Sequence, residues 1–201
     1  MYSQILICVS LVVASYQDIK ERAVSDIVWL PALAGAAYAF YSLYPAIEFL
    51  AVKVALVGSI ALAFTLLGYM GQADGIAFAF IAADPFPLSP IPPLFGTALV
   101  TLVHIGYEYA WGDARGTLTI PIERFLKEQK WIPKAVISNG SRREIDRDVN
   151  VARDLVAKDK AEGAMVEVTY GVPTVAYLGI GYLVFLVYLL VFNQAAFLAL
   201  P

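Results

Sequence analysis

The chain has 201 residues, of which 60% are hydrophobic and only 15% charged, and its mean hydropathy is +0.69. Soluble domains carry about a quarter charged residues, so this composition excludes an ordinary water-soluble domain and indicates a membrane protein. A net charge of −3 without a separate basic patch argues against a nucleic-acid partner, and a single cysteine, Cys8, excludes an intrachain disulfide and disfavours a thiolate metal cluster.

Charge is unevenly spread. Eleven of the fourteen Lys and Arg residues and ten of the seventeen Asp and Glu residues fall within 112–168. One polar segment is thus embedded in a chain that otherwise reads as apolar spans. Crossing about 30 Å of hydrocarbon takes about 20 helical residues, and six segments approach that length.

The first covers 1–17. It has no basic n-region and runs into Gln-Asp-Ile-Lys, not a small-residue cleavage site, so it reads as a mature span and not a secretory signal. The second covers 27–44, with Ser25 or Asp26 as N-cap. The third covers 46–69, with Lys53 near its outer end and long enough to snorkel. The fourth runs from Asp74 to about Leu88 and is short. The fifth, 91–111, follows the proline-rich turn PFPLSPIPP and carries His104 and Glu108 on one face. Two such ligands without a third read as a hydrogen-bonded pair more readily than as a metal site. The sixth covers 170–192, with Pro173 in its first turn.

Between the fifth and sixth spans, WIPKAVIS and AMVEVTY read as short strands. Ile145, Val149, Ala152 and Val156 recur at helical spacing after Ser141, a candidate cap. The fold expected is an all-α polytopic membrane protein with six transmembrane helices and a small α+β cytoplasmic module. The corresponding domains are 1–111, 112–168 and 169–201. Lys20, Arg22 and the basic residues of 112–168 place the loops 18–26 and 68–74 and the module in the cytoplasm, and both termini outside.

That span parity brings two carboxylates to one side of the membrane. Asp18 closes the first helix in SYQDIKER, and Asp74 opens the fourth in YMGQADGIAF. A bland reading makes Asp18 an interfacial residue paired with Lys20 or Arg22, and Asp74 an N-cap. Ionisable groups at membrane depth are costly, however, and point to function. Two carboxylates that share a proton can run acid–base hydrolysis. Asp84 reads as a turn or cap residue after the fourth span. Asp26 lies nearer the pair and reads first as a cap.

These features resemble the archaeal preflagellin and prepilin peptidases. These are membrane aspartyl proteases related to the bacterial type IV prepilin peptidases, and they share a GxGD motif with presenilin-type proteases. The likeness rests on the six spans, on Asp18 in a D-I-K-x-R context, and on Gly71-Gln72-Ala73-Asp74 opening the fourth span. Alanine stands at the motif's third position here, as it commonly does in archaeal members, and the cysteine pairs of the bacterial branch are absent. The resemblance implies that Asp18 and Asp74 form the catalytic pair, with no metal and no cofactor. It also implies a substrate: archaellin- or pilin-like precursors, whose short basic leader is cut at the cytoplasmic face beside a hydrophobic helix. Two other readings use the same carboxylates. One is a proton- or cation-coupled transporter or channel, which calls for polar residues deep in several spans. The other is a Mg-dependent phospho-lipid transferase, which calls for a larger carboxylate cluster. The helix dipole adds one further expectation: Asp18, at a helix C-terminus, holds the shared proton, and Asp74, at an N-terminus, is the base.

Overall fold

The computed structural model describes residues 2–44, 47–67, 69–112, 116–128, 130–138, 141–145, 156 and 164–192. The helices are α1 (Tyr2–Glu21), α2 (Leu30–Ser42, entered through a 3-10 turn at Asp26–Trp29), α3 (Ile47–Leu66), α4 (Gln72–Ala82) and α5 (Ile91–Trp111). A small sheet module follows, and α7 (Thr174–Phe192) comes after it. The chain divides into two compact units. One comprises Met1–Ile19, Val24–Thr101 and Pro173–Pro201, and the other Lys20–Ala23 and Leu102–Val172.

Each of the six apolar segments contains a helix, but among the described residues three helices, α1, α3 and α7, are long and apolar enough to cross a membrane. The expectation of six such spans is corrected by helix length and content. α2 has 13 residues and α4 has 11. α5 is long enough at 21 residues, yet Pro92, Pro93, His104 and Glu108 dilute its apolar surface. The fourth segment stops at Ala82, short of Leu88, because Pro85, Pro87 and Pro90 cannot continue a helix and Pro85 also biases Asp84 away from helical geometry. α3 illustrates the solvent these helices are built for. It is strongly apolar and yet exposes Phe49, Val52, Leu56, Ile60, Leu62 and Phe64. Such a surface is stable against lipid tails and not against water.

Within the helical unit, α1 turns one stripe inward: Gln4, Ile7, Leu11 and Ala14 are fully buried, at alternating spacings of three and four. Small residues let neighbours approach that stripe. A Cβ at Gly35 of α2 would lie 2.7 Å from the Ser3 carbonyl oxygen, and one at Gly96 of α5 would lie 3.2 Å from Gly181 Cα of α7. Backbones therefore meet nearly directly, the packing that membrane helices favour. Trp29 stacks on Phe80 at 5.8 Å and so holds α4 beside the start of α2.

The second unit contains β1 (Thr117–Pro121), α6 (Ile122–Lys127), β2 (Trp131–Ser138), β3 (Ser141–Glu144) and β4 (Met165–Tyr170). The strands form an antiparallel sheet in the order β1-β4-β2-β3. Both strands expected from sequence are present, as β2 and β4. Ser141 is not a helix cap but the first residue of β3, where it pairs with Ser138. Val149 and Ala152 of the expected helix lie outside the described residues. Val156 is helical and buried against the same core as Phe125, Trp131 and Val166, and Ile145 packs on that core. Pro133 lacks an N–H and sits at the irregularity in the β2–β4 ladder, on a stretch of β2 that β3 does not pair.

Phe125 is fully buried in this module. Phe125→Ala should cost about 3–5 kcal/mol by removing its contacts and leaving a cavity. Limited proteolysis of the full chain checks this: cleavage should accelerate within 112–172 while the helical unit stays intact.

Candidate active site

Asp18 lies in the last turns of α1, one step further along the stripe that holds Gln4, Ile7, Leu11 and Ala14. Its Oδ2 accepts the Ala176 backbone N–H at 3.1 Å. Ala176 is in the first turn of α7, whose opening N–H groups have no partner within the helix. The close fit of α1 against α7 makes this bond possible. Ser15, just under one turn before Asp18, donates to the Leu11 carbonyl at 2.6 Å and lies 3.3 Å from the Val175 carbonyl. Gly179 faces the same turn, and a Cβ there would meet Ser15 Oγ and come within 3.1 Å of the Leu11 carbonyl oxygen.

Asp74 is the third residue of α4. Its Oδ2 accepts the N–H of Gly71, the residue that caps the helix, at 3.0 Å. A carboxylate at this position, reaching back to the cap, satisfies one of the helix's free donors. Gly71 is suited to the site because a Cβ there would lie 3.0 Å from that same Oδ2. Gly75, next in the chain, lets α4 lie close to α3, since a Cβ would come within 2.9 Å of Thr65 Oγ1. The Asp18 charge is felt at Asp74, as a smaller influence than burial or the Gly71 N–H. Both aspartates are partly exposed.

The structure adds one element to the dipole expectation: Asp18 closes α1, and its carboxylate also meets the start of α7. Each carboxylate thus has a helix N-terminus beside it, and Asp18 lies at the α1 C-terminus as well.

The other candidates fall elsewhere. Asp26 is exposed in the first turn of the 3-10 segment, and Ser25, at its cap position, makes no side-chain cap bond. His104 and Glu108 form a pair at 3.6 Å, and His104 also lies 3.4 Å from the Tyr170 hydroxyl. No group of three His, Cys, Asp or Glu suited to a metal occurs among the described residues.

Asp84 and Lys53 require the largest revision. Asp84 does make a turn, accepting the Phe86 N–H at 2.7 Å, but it is also completely buried. Its carboxylate accepts the Tyr182 hydroxyl at 2.5 Å and the Gln4 side-chain amide at 3.3 Å. Lys53 binds backbone of the turn. Its ammonium donates to the carbonyls of Asp84 and Phe86 at 2.6 and 2.9 Å. Sequence reading missed this cluster because its members are far apart in the chain, although Gln4 on an apolar stripe was a visible signal.

The type IV leader peptidase family matches residues 5–106, which contain both Asp18 and Asp74. The chain belongs to that family. No curated protein and no solved structure matches it significantly. Membership in a leader peptidase family and the apolar spanning helices together make the chain a membrane protease.

Gly179→Val should push α7 off α1 and destabilise the helical unit by about 1–3 kcal/mol, the usual range for overpacking. Thermal unfolding in detergent checks this. Gly179→Ala should show a smaller drop of the same sign.

Proposed function

We propose that this leader peptidase is an aspartic endopeptidase with Asp18 and Asp74 as its catalytic pair. The observation that supports this reading is a pair of carboxylates from helices remote in sequence, each held by a helix-start N–H, with the Asp18 charge felt at Asp74. In the resting pair one proton is shared. The ionised carboxylate takes a proton from water as the water oxygen attacks the scissile carbonyl carbon. The protonated one gives its proton to the carbonyl oxygen. The resulting gem-diol collapses when the C–N bond breaks and a proton passes to the leaving nitrogen. No covalent acyl-enzyme forms. Orientation by fixed donors is what turns two ordinary carboxyls into a general acid–base couple.

The substrates we infer are archaellin- or pilin-like precursors with a short basic leader and a following apolar helix. The acidic pair attracts the leader, and the apolar segment packs among the spans. We infer the archaeal branch of the family from Ala73 and from the lone Cys8. Lys20, Arg22 and the basic residues of 112–168 support a cytoplasmic active site with both termini outside. In this topology all six apolar segments enter the bilayer. The 11 residues of α4 reach about 16 Å into it, so the turn at Asp84 lies within hydrocarbon depth. Irregular backbone at that depth is tolerated where protein donors satisfy it, and Lys53 and Ser89 do so: the ammonium binds the Asp84 and Phe86 carbonyls, and the Ser89 hydroxyl binds the Ile81 carbonyl.

Asp18→Asn and Asp74→Asn should each abolish leader cleavage while the protein elutes from detergent as the folded wild type does. Near-normal cleavage by either variant would sink the pair. Activity that disappears with chelator and returns with Mg²⁺ would favour phospho-transfer chemistry instead.

Ser141 is exposed in β3 and reports orientation. In a Cys8→Ser background, Ser141→Cys should react with an impermeant thiol reagent only after cell lysis. Labelling of intact cells would invert the topology.

A further inference from the structure

The elements that carry the carboxylate pair are α1 with Asp18, α4 with Asp74, and α7 with Ala176, whose N–H binds Asp18. The same three elements meet a second time away from the pair. Gln4 of α1, Asp84 just after α4, and Tyr182 of α7 converge there, and Lys53 of α3 clamps the turn. Gln4 and Asp84 are fully buried, and so is Tyr182. Gln4 reaches Asp84 at a cost. Its side-chain carbonyl oxygen is buried without a hydrogen-bond partner among the described residues, so donation to Asp84 is what its polar head gains there.

A helix is stiff along its axis, so two anchored ends fix its rise, tilt and rotation. α4 is anchored at one end by its packing on α3, where Gly75 lies against Thr65 and Ala61, and at the other by Asp84. α1 likewise carries Gln4 and Asp18 on a single buried stripe. A slip of α4 against α1 at the Asp84 end is therefore carried along the rod to Asp74. Misplacing a reacting group by about 1 Å can cost about 100-fold in rate.

We propose that Asp84, with Gln4, Tyr182 and Lys53, is a positioning cluster that sets the separation of the Asp18 and Asp74 carboxylates from the other end of α1, α4 and α7. This inference rests on the reading of Asp18 and Asp74 as the catalytic pair. Asp84 touches neither carboxylate and acts through α4. Its value lies in hydrogen-bond geometry more than in charge, since an amide can reproduce the pattern. Asn at this position would accept from Phe86 and Gln4 through its oxygen, and donate to the Tyr182 oxygen.

The test uses the full chain in detergent with a precursor peptide bearing a basic leader. In folded Asp84→Leu, kcat should fall about 10- to 100-fold with KM within about twofold of wild type. Asp84→Asn should restore most of that loss. Tyr182→Phe keeps the shape of the core and removes one bond, so it should lower kcat about 3- to 10-fold in the same kcat-only manner. It decides the matter if Asp84→Leu does not fold. A second readout needs no activity. With Asp18→Cys and Asp74→Cys in a Cys8→Ser background, the yield of a short bifunctional thiol cross-link should change when Tyr182→Phe is added. Wild-type kcat in folded Asp84→Leu or Tyr182→Phe, with Asp74→Asn inactive, would overturn the positioning role and leave the pair intact. An active Asp74→Asn would overturn the pair itself. An unchanged cross-link yield would overturn the coupling of the two ends whatever the chemistry.

Discussion

A carboxylate set among apolar helices must be met by hydrogen-bond donors, because neither lipid tails nor a packed core can solvate it. This chain meets that demand mostly with backbone. The first turn of every α-helix offers N–H groups that have no partner inside the helix. The start of α4 satisfies Asp74 through Gly71, and the start of α7 satisfies Asp18 through Ala176. Asp84 takes one backbone donor and two side-chain donors. Helix order and helix contacts follow from this. α7 has to begin beside the end of α1, whereas the donor to Asp74 lies in the cap of α4 itself. Gly179, Gly71 and Gly75 sit where a side chain would hold these partners apart.

Viewed along α1, the same requirement links fold and chemistry. Gln4, Ile7, Leu11, Ala14 and Asp18 share one face, apolar in the middle and polar at both ends. The apolar part drives packing against α7 and α4, with Leu178, Val175, Ala77 and Ile81 in the same core. The polar ends fix register, since each has one partner geometry and sliding α1 by a turn would leave both unmet. A purely apolar stripe between apolar helices has little to oppose such sliding, because lipid tails are as apolar as the core.

What the sequence made legible follows from which signals are local. Apolar helices and strands announce themselves through runs of residue type, and the expectation of a shared side for Asp18 and Asp74 came from counting helices between them. Helix ends were less legible. The apolar run after Asp74 continues to Leu88, but proline chemistry stops α4 at Ala82. β3 was misread because Ser141–Glu144 is exposed along its whole length, so no alternation marks it as a strand. Asp84 was read as a turn, which is correct within its own tripeptide. Its burial depends on Gln4 and Tyr182, 80 and 98 residues away, and no local pattern encodes such partners. Likewise, the start of α7 beside Asp18 is a tertiary fact. It changes the electrostatics of the pair from what α1 alone would impose.

That change bears on how an acid and a base are distinguished. A helix end contributes about 0.3–1 kcal/mol to an adjacent charge, a bias worth less than one pKa unit. At Asp18 the α7 start opposes the α1 C-terminus, which reduces even this small bias. Carboxyls that interact strongly titrate as a pair and not as two sites. If Asp18 and Asp74 act as the proposed pair, the substrate supplies a further asymmetry. A peptide carbonyl approaching one carboxyl favours the proton there, because a neutral carboxyl can donate to it and an anion is repelled by its oxygen. Water is left beside the other carboxylate. In the proposed site the direction from which the peptide enters helps to set the roles, so placement of the pair matters beside the ground-state pKa of either member.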